Sequence, residues 1–159
     1  MNPSVQSAAD DLEAELSVLL DACGMQTTSS EFDVFGFEQV IQNRTTGIKF
    51  QWSPREGNGW LVDVARLRDK GFPKHPSFIR EDTVLDQYDL RSIAKVRLGH
   101  LSESLREKIA HDQPLSAQEV VEILLTCCDD VLGEDFGVFQ PLNRSSSRGL
   151  VQANKCRSN

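Results

Sequence analysis

Gly47-Ile48-Lys49-Phe50-Gln51-Trp52, the turn-rich run Ser53-Pro54-Arg55-Glu56-Gly57-Asn58-Gly59, and Trp60-Leu61-Val62-Asp63-Val64-Ala65-Arg66-Leu67 decide the fold class of this chain. Ile48, Phe50 and Trp52 alternate with Lys49 and Gln51, the period of a strand with one apolar and one wet face. The Gly/Asn-rich linker supplies the positive φ angles that a hairpin turn needs, so the stretch predicts a β-hairpin. In its second arm Trp60, Val62 and Val64 form one row, and Leu61, Ala65 and Leu67 are apolar around Asp63. That pattern predicts a central strand covered on both faces. Asp63 is then either a wetted structural residue or part of a binding groove.

Working toward the N-terminus, residues 31–42 (Glu-Phe-Asp-Val-Phe-Gly-Phe-Glu-Gln-Val-Ile-Gln) are aromatic and β-branched, which predicts a first strand with a change of phase near Gly36. Residues 26–30 form a polar break before it. Val5, Ala8, Ala9, Leu12, Leu16, Leu19, Leu20 and Cys23 recur at three- and four-residue spacing and end at Gly24, as in an amphipathic helix. Asp10, Asp11, Glu13 and Glu15 are placed in its early turns, where the helix dipole favours acids.

Toward the C-terminus, residues 71–80 carry two prolines and no helical period and predict a surface loop. Residues 88–98 predict a helix capped by Asp89, or a fourth strand. Leu101, Leu105 and Ile109 predict a short helix. Ser116 with Glu119 has the spacing of a capping box opening a long helix through Leu132 that stops at Gly133. Phe136, Val138 and Phe139 are a short strand or a hydrophobic latch. The expected architecture is α+β: an antiparallel meander of three to five strands packed against N-terminal and C-terminal helices. Residues 1–143 are expected to form one domain, followed by a basic Ser/Arg-rich tail, 144–159.

The chain has 159 residues and a net charge of −7, unevenly distributed. Residues 1–43 hold eight acids and residues 112–143 hold seven, neither with a Lys or Arg, whereas residues 44–111 hold thirteen bases against nine acids. Direct nucleic-acid binding needs a basic face, so this distribution disfavours it and favours a basic protein partner. Cys23, Cys127, Cys128 and Cys156 have no paired zinc spacing and are expected as free thiols. No apolar run has the length of a signal peptide core or a membrane span, which predicts a cytoplasmic protein.

The inventory of chemistry is thin. No nucleophile elbow, Walker loop, zinc-protease motif or dinucleotide fingerprint occurs, and His75, His100 and His111 lie in predicted loops or helix ends rather than beside strand termini with carboxylates. No catalytic residue, cofactor or metal is expected. Asp129, Asp130, Glu134 and Asp135 lack the order of a calcium loop. At the end of a helix acids oppose the dipole, and carboxylates kept where they cost stability point to binding.

Phe35-Gly36 opening an aromatic strand, the 47–52 strand, the Arg55–Gly59 turn, Trp60-Leu61-Val62-Asp63-Val64 and a late helix ending Asp129-Asp130-Val131-Leu132-Gly133-Glu134-Asp135-Phe136 together resemble small bacterial immunity proteins of contact-dependent growth inhibition and related polymorphic toxin systems. The resemblance lies in the order and texture of segments over residues 31–142. It implies a cytosolic, non-catalytic protein that binds a cognate toxin domain, often a nuclease with a basic cleft, and blocks it stoichiometrically. Asp129, Asp130, Glu134, Asp135 and Asp63 are the candidate partner-binding residues. The alternative is a regulatory or adaptor domain that binds a host protein through the 72–78 loop or the basic tail, with an uncharacterised enzyme as a third class.

Overall fold

The computed structural model describes residues 3–54, 59–68, 71–73 and 85–142. The tail 144–159 with Cys156, the hairpin tip 55–58, and His75 and Phe78 of the proposed loop lie outside the described residues. Along the chain run α1 (Pro3–Cys23), β1 (Gln26–Phe32), β2 (Phe37–Gln42), β3 (Thr46–Trp52), β4 (Trp60–Arg66), β5 (Gln87–Asp89), α2 (Leu90–Val96), a 3₁₀ turn (Leu98–His100), α3 (Glu103–Ala110), α4 (Ala117–Cys127) and α5 (Asp129–Leu132). The five strands form one antiparallel sheet in the order β1-β2-β3-β4-β5. The chain is therefore α+β, with the expected meander and helices from both ends.

The hairpin at residues 47–67 is β3 and β4, paired in register from Thr46↔Arg66 to Trp52↔Trp60. Ile48, Phe50, Trp52, Trp60, Val62 and Val64 are all buried on the face that packs against the helices. Phe50 and Trp60 meet edge-on with centroids 6.5 Å apart, a favoured aromatic geometry. Burying these side chains contributes roughly 1.5–3 kcal/mol each, and this drives the sheet onto the helical layer. The second face of β4 is not covered throughout: Ala65 is buried, but Leu61 is 50% exposed.

The first strand is displaced from its expected place. Residues 26–30, expected as a polar break, form most of edge strand β1, and the aromatic run splits into the end of β1, a turn and β2. Asp33 makes the turn by accepting hydrogen bonds on Oδ1 from the Phe35 and Gly36 amides at 2.6 and 2.7 Å. The irregularity in the ladder falls between Thr27 and Ser29 rather than at Gly36. An edge strand with little burial carries no hydrophobic alternation, so periodicity missed it.

The helices follow the patterns with two corrections. α1 begins at Pro3, so Asp10, Asp11, Glu13 and Glu15 sit in later turns and the dipole does not explain them. The expected long helix breaks at Cys128 (φ −122, ψ 13) into α4 and α5. The Ser116–Glu119 capping box is present in both directions, and Glu119 also accepts from Lys108 Nζ at 2.6 Å, tying α4 to α3. Asp89 ends β5 and caps α2 by accepting from the Ser92 amide at 2.9 Å, so strand and helix both occur around residue 89. Val138, Phe139 and Leu142 are buried, with Phe139 4.9 Å from the Tyr88 ring. The Phe136 to Phe139 stretch is thus a latch rather than a strand.

Candidate functional site

The four clustered acids of the sequence reading lie at one end of the helical layer, beside the β2–β3 turn. Thr46 Oγ1 donates to the Val131 carbonyl at 2.8 Å, and Asn43 Nδ2 donates to the Cys23 carbonyl at 3.4 Å, so α5, the turn and the end of α1 meet there. Within this end the acids divide. Asp130 is half-buried and held by Arg97, whose Nη1 and Nη2 donate to its two carboxylate oxygens at 2.7 and 2.6 Å. The same guanidinium donates to the Cys127 carbonyl at 2.6 Å, closing the broken end of α4. The Arg97 bonds hold the Asp130 carboxyl below the usual carboxylate range against the opposing effect of burial, helped by the Val131 amide. Asp130 is a structural clamp.

Asp129, Glu134 and Asp135 are exposed. Glu134 has a left-handed backbone (φ 75) and faces Arg44 loosely at 3.8 Å. Asp135 Oδ1 accepts from the Gly137 amide at 2.9 Å, which fixes its rotamer. Asp129 lies near the end of α1: burial first, then the Asp129 charge, pushes the Cys23 thiol upward. Because α4 ends at Cys127, Asp129 and Asp130 open α5 instead of closing a long helix, and the dipole sign there favours them. These two acids therefore carry no dipole cost, contrary to the expectation for the end of a long helix.

Asp63 is not part of this cluster. It lies on β4 on the sheet face turned away from the helices, opposite Lys49 on β3 and Asp89 on β5, and accepts from Gln87 Nε2 at 2.9 Å. That outer face holds what the sequence reading missed. The cross-strand row Glu31↔Glu38↔Gln51↔Leu61 runs over four strands. At its end the β1–β2 turn leans over β3, with Ser53 Oγ donating to the Phe35 carbonyl at 3.0 Å. Between them lies a groove of ≈ 360 Å³ lined by Glu31, Phe32, Phe35, Glu38, Gln51 and Leu61, among others. Phe32, Phe35 and Leu61 are 41%, 51% and 50% exposed. The Asp33-x-x-Gly36 spacing was the one available signal for this turn.

Further along the same face, Phe72 covers Gly47: a Cβ there would stand 2.9 Å from its ring. Lys49 Nζ lies 5.3 Å from the Phe72 centroid. Phe72 therefore serves as packing, and the remainder of the 72–78 adaptor loop beyond Pro73 lies outside the described residues.

His100 is exposed, and His111 Nδ1 lies 2.9 Å from the Glu107 carbonyl oxygen, within its own helix end. Cys127 and Cys128 are buried with thiols pushed up by burial. Among the described residues no group of three or more His, Cys, Asp or Glu side chains is arranged to hold a metal, and no helix is long and apolar enough to cross a membrane. Compared with models of known protein families, with curated protein sequences and with solved structures, the chain matches none.

Proposed function

We propose that this chain is a non-catalytic binding protein of the immunity type, acting in the cytoplasm to neutralise a basic toxin domain by stoichiometric association. The observation that supports the reading is the acidic end of the molecule. Asp129, Glu134 and Asp135 stand exposed within seven residues of one another, with Arg44 loosely engaged by Glu134 at 3.8 Å and the Arg66 guanidinium over the Phe136 ring at 5.2 Å. The Asp130–Arg97 clamp and the Asp135 turn hold that edge in one geometry before any partner arrives, which lowers the ordering cost of binding. An acidic surface of this kind accelerates encounter with a basic cleft and disfavours nucleic acid, the competing polyanion. Asp63, on the other face, does not belong to this contact.

The test is co-expression of the full chain with toxin domains encoded beside it, a nuclease domain first. Rescue of growth together with an equimolar complex on gel filtration is the expected result. Rescue at amounts well below those of the toxin would mean turnover and would sink the non-catalytic reading.

A further inference from the structure

We infer that the groove at the end of the outer sheet face is a docking site for a protein segment carrying an aromatic or large aliphatic anchor next to a Lys or Arg. The inference rests on the binding-protein reading above and adds a second contact surface with its own chemistry. Three observations carry it. First, Phe35 and Leu61, each about half exposed, stand at one groove, while Phe32 beside them turns its ring onto Phe37, 4.6 Å away; exposed large apolar side chains at a hollow are the composition of an interface centre.

Second, Glu31 and Glu38 are directly opposed across β1 and β2. Like charges facing each other in a ladder are unfavourable. Gln51 Nε2 donates to Glu38 Oε2 at 2.7 Å, but among the described residues no ion pair neutralises either carboxylate. A partner's ammonium or guanidinium placed between them would relieve the repulsion and be attracted by both. This charge pattern selects a basic segment over an acidic one, and over a second copy of this acidic chain.

Third, the groove continues along the sheet. It shares Glu38 and Gln51 with a hollow of ≈ 440 Å³ that reaches Asp63, and Gln51 and Leu61 with one of ≈ 150 Å³ that Asp63 also lines and that turns toward Leu115 and Val120 of the helical layer. An extended segment lying across the strands therefore seats its anchor between Phe35 and Leu61, its base at Glu31 and Glu38, and further residues toward Asp63. In this arrangement Asp63 is a contact of the outer face.

The experiment is panning of the full-length protein against a random peptide library, with enriched peptides then synthesised and titrated. The expected enrichment is an aromatic or large aliphatic residue within two positions of Lys or Arg. Leu61→Asp should weaken such a peptide by about thirtyfold. Glu31→Gln with Glu38→Gln should weaken it less and flatten its salt dependence, and as surface changes they leave the fold testable should Leu61→Asp unfold it. Charge reversal at Asp129, Glu134 and Asp135 should leave it unchanged. Enriched peptides without a base, binding indifferent to both sets of outer-face variants, or no enrichment, as when a segment of the chain itself fills the groove, would overturn the proposal. So would a concentration-dependent dimer that Leu61→Asp dissociates, since the groove would then belong to a second copy. Peptide binding without toxin rescue removes the immunity reading and leaves this site standing; rescue without peptide binding does the reverse.

Discussion

Arg97 grips Asp130 through two parallel hydrogen bonds of 2.7 and 2.6 Å while donating a third, of 2.6 Å, to the Cys127 carbonyl. One guanidinium thus joins the end of α2 to both sides of the break between α4 and α5. Bidentate arginine–carboxylate pairs are among the stronger charge-assisted contacts, and this one is three-quarters or so shielded from solvent, with side-chain exposures of 24% and 31%.

Removing either partner leaves the other half-buried and unpaired. Asp130→Asn or Arg97→Met should cost about 1–3 kcal/mol in urea unfolding. The pH dependence has a definite sign. The folded carboxyl of Asp130 titrates below its unfolded value, so its contribution is complete above the unfolded value, near pH ~4, and is lost as pH falls through the folded one. The stability gap between wild type and Asp130→Asn should therefore narrow on acidification below about pH 4. A constant gap down to acid unfolding would contradict the clamp.

The exposed acids should act on association rather than on stability. Joint substitution of Asp129, Glu134 and Asp135 by Lys should slow association with a basic toxin domain by roughly 10–100-fold at low salt and flatten its salt dependence, with little change in melting temperature. Stopped-flow on-rates across a salt series measure this. Unaltered on-rates at low salt would remove the acidic edge from the interface.

Gly36 has no room for a methyl group. A Cβ would stand 2.4 Å from the Trp52 carbonyl oxygen, backbone that cannot swing aside. Gly36→Ala should cost about 1–3 kcal/mol and shift the β1–β2 turn that walls the groove. Gly99→Ala, where nothing lies within 4 Å, is the matched control and should be close to neutral. Equal unfolding midpoints for the two variants would show that the turn does not press on β3.

Cys127 and Cys128 are both fully buried, and burial pushes both thiols up. The thiolate is the reactive form, so neither should react with iodoacetamide near neutral pH until the protein unfolds. Mass spectrometry of peptides from native and urea-treated protein checks this. Rapid native modification at Cys128 would mean that the α4–α5 junction opens.

Where a segment buries one face against the core, its sequence was legible. The β3–β4 hairpin, α1 and the capped start of α4 each show a period, a cap or a terminating glycine that local chemistry imposes. The signal failed where burial is slight or the backbone breaks for tertiary reasons. Edge strand β1 has no buried alternation, so residues 26–30 resemble a linker. The break at Cys128 carries no Pro or Gly; there Arg97, thirty-three residues before Asp130, satisfies the Cys127 carbonyl and the Asp130 carboxylate together.

The candidate site divides along the same line. Sequence alone identified an acid surplus near residues 129–135 and an apolar run at residues 32–37. It could not sort Asp130, neutralised from α2, from Asp129, Glu134 and Asp135, left to the solvent.

By itself, then, the sequence determined the α+β class, the meander and the acidic balance, since these follow from period-two and helical spacing and from counting charges. Tertiary structure decided which acids are available, that Asp63 faces away from them, and that Glu31, Phe32, Phe35, Glu38 and Leu61 share one groove. Strand register and long-range pairing bring residues thirty positions apart within a few ångströms, and no local pattern encodes that meeting.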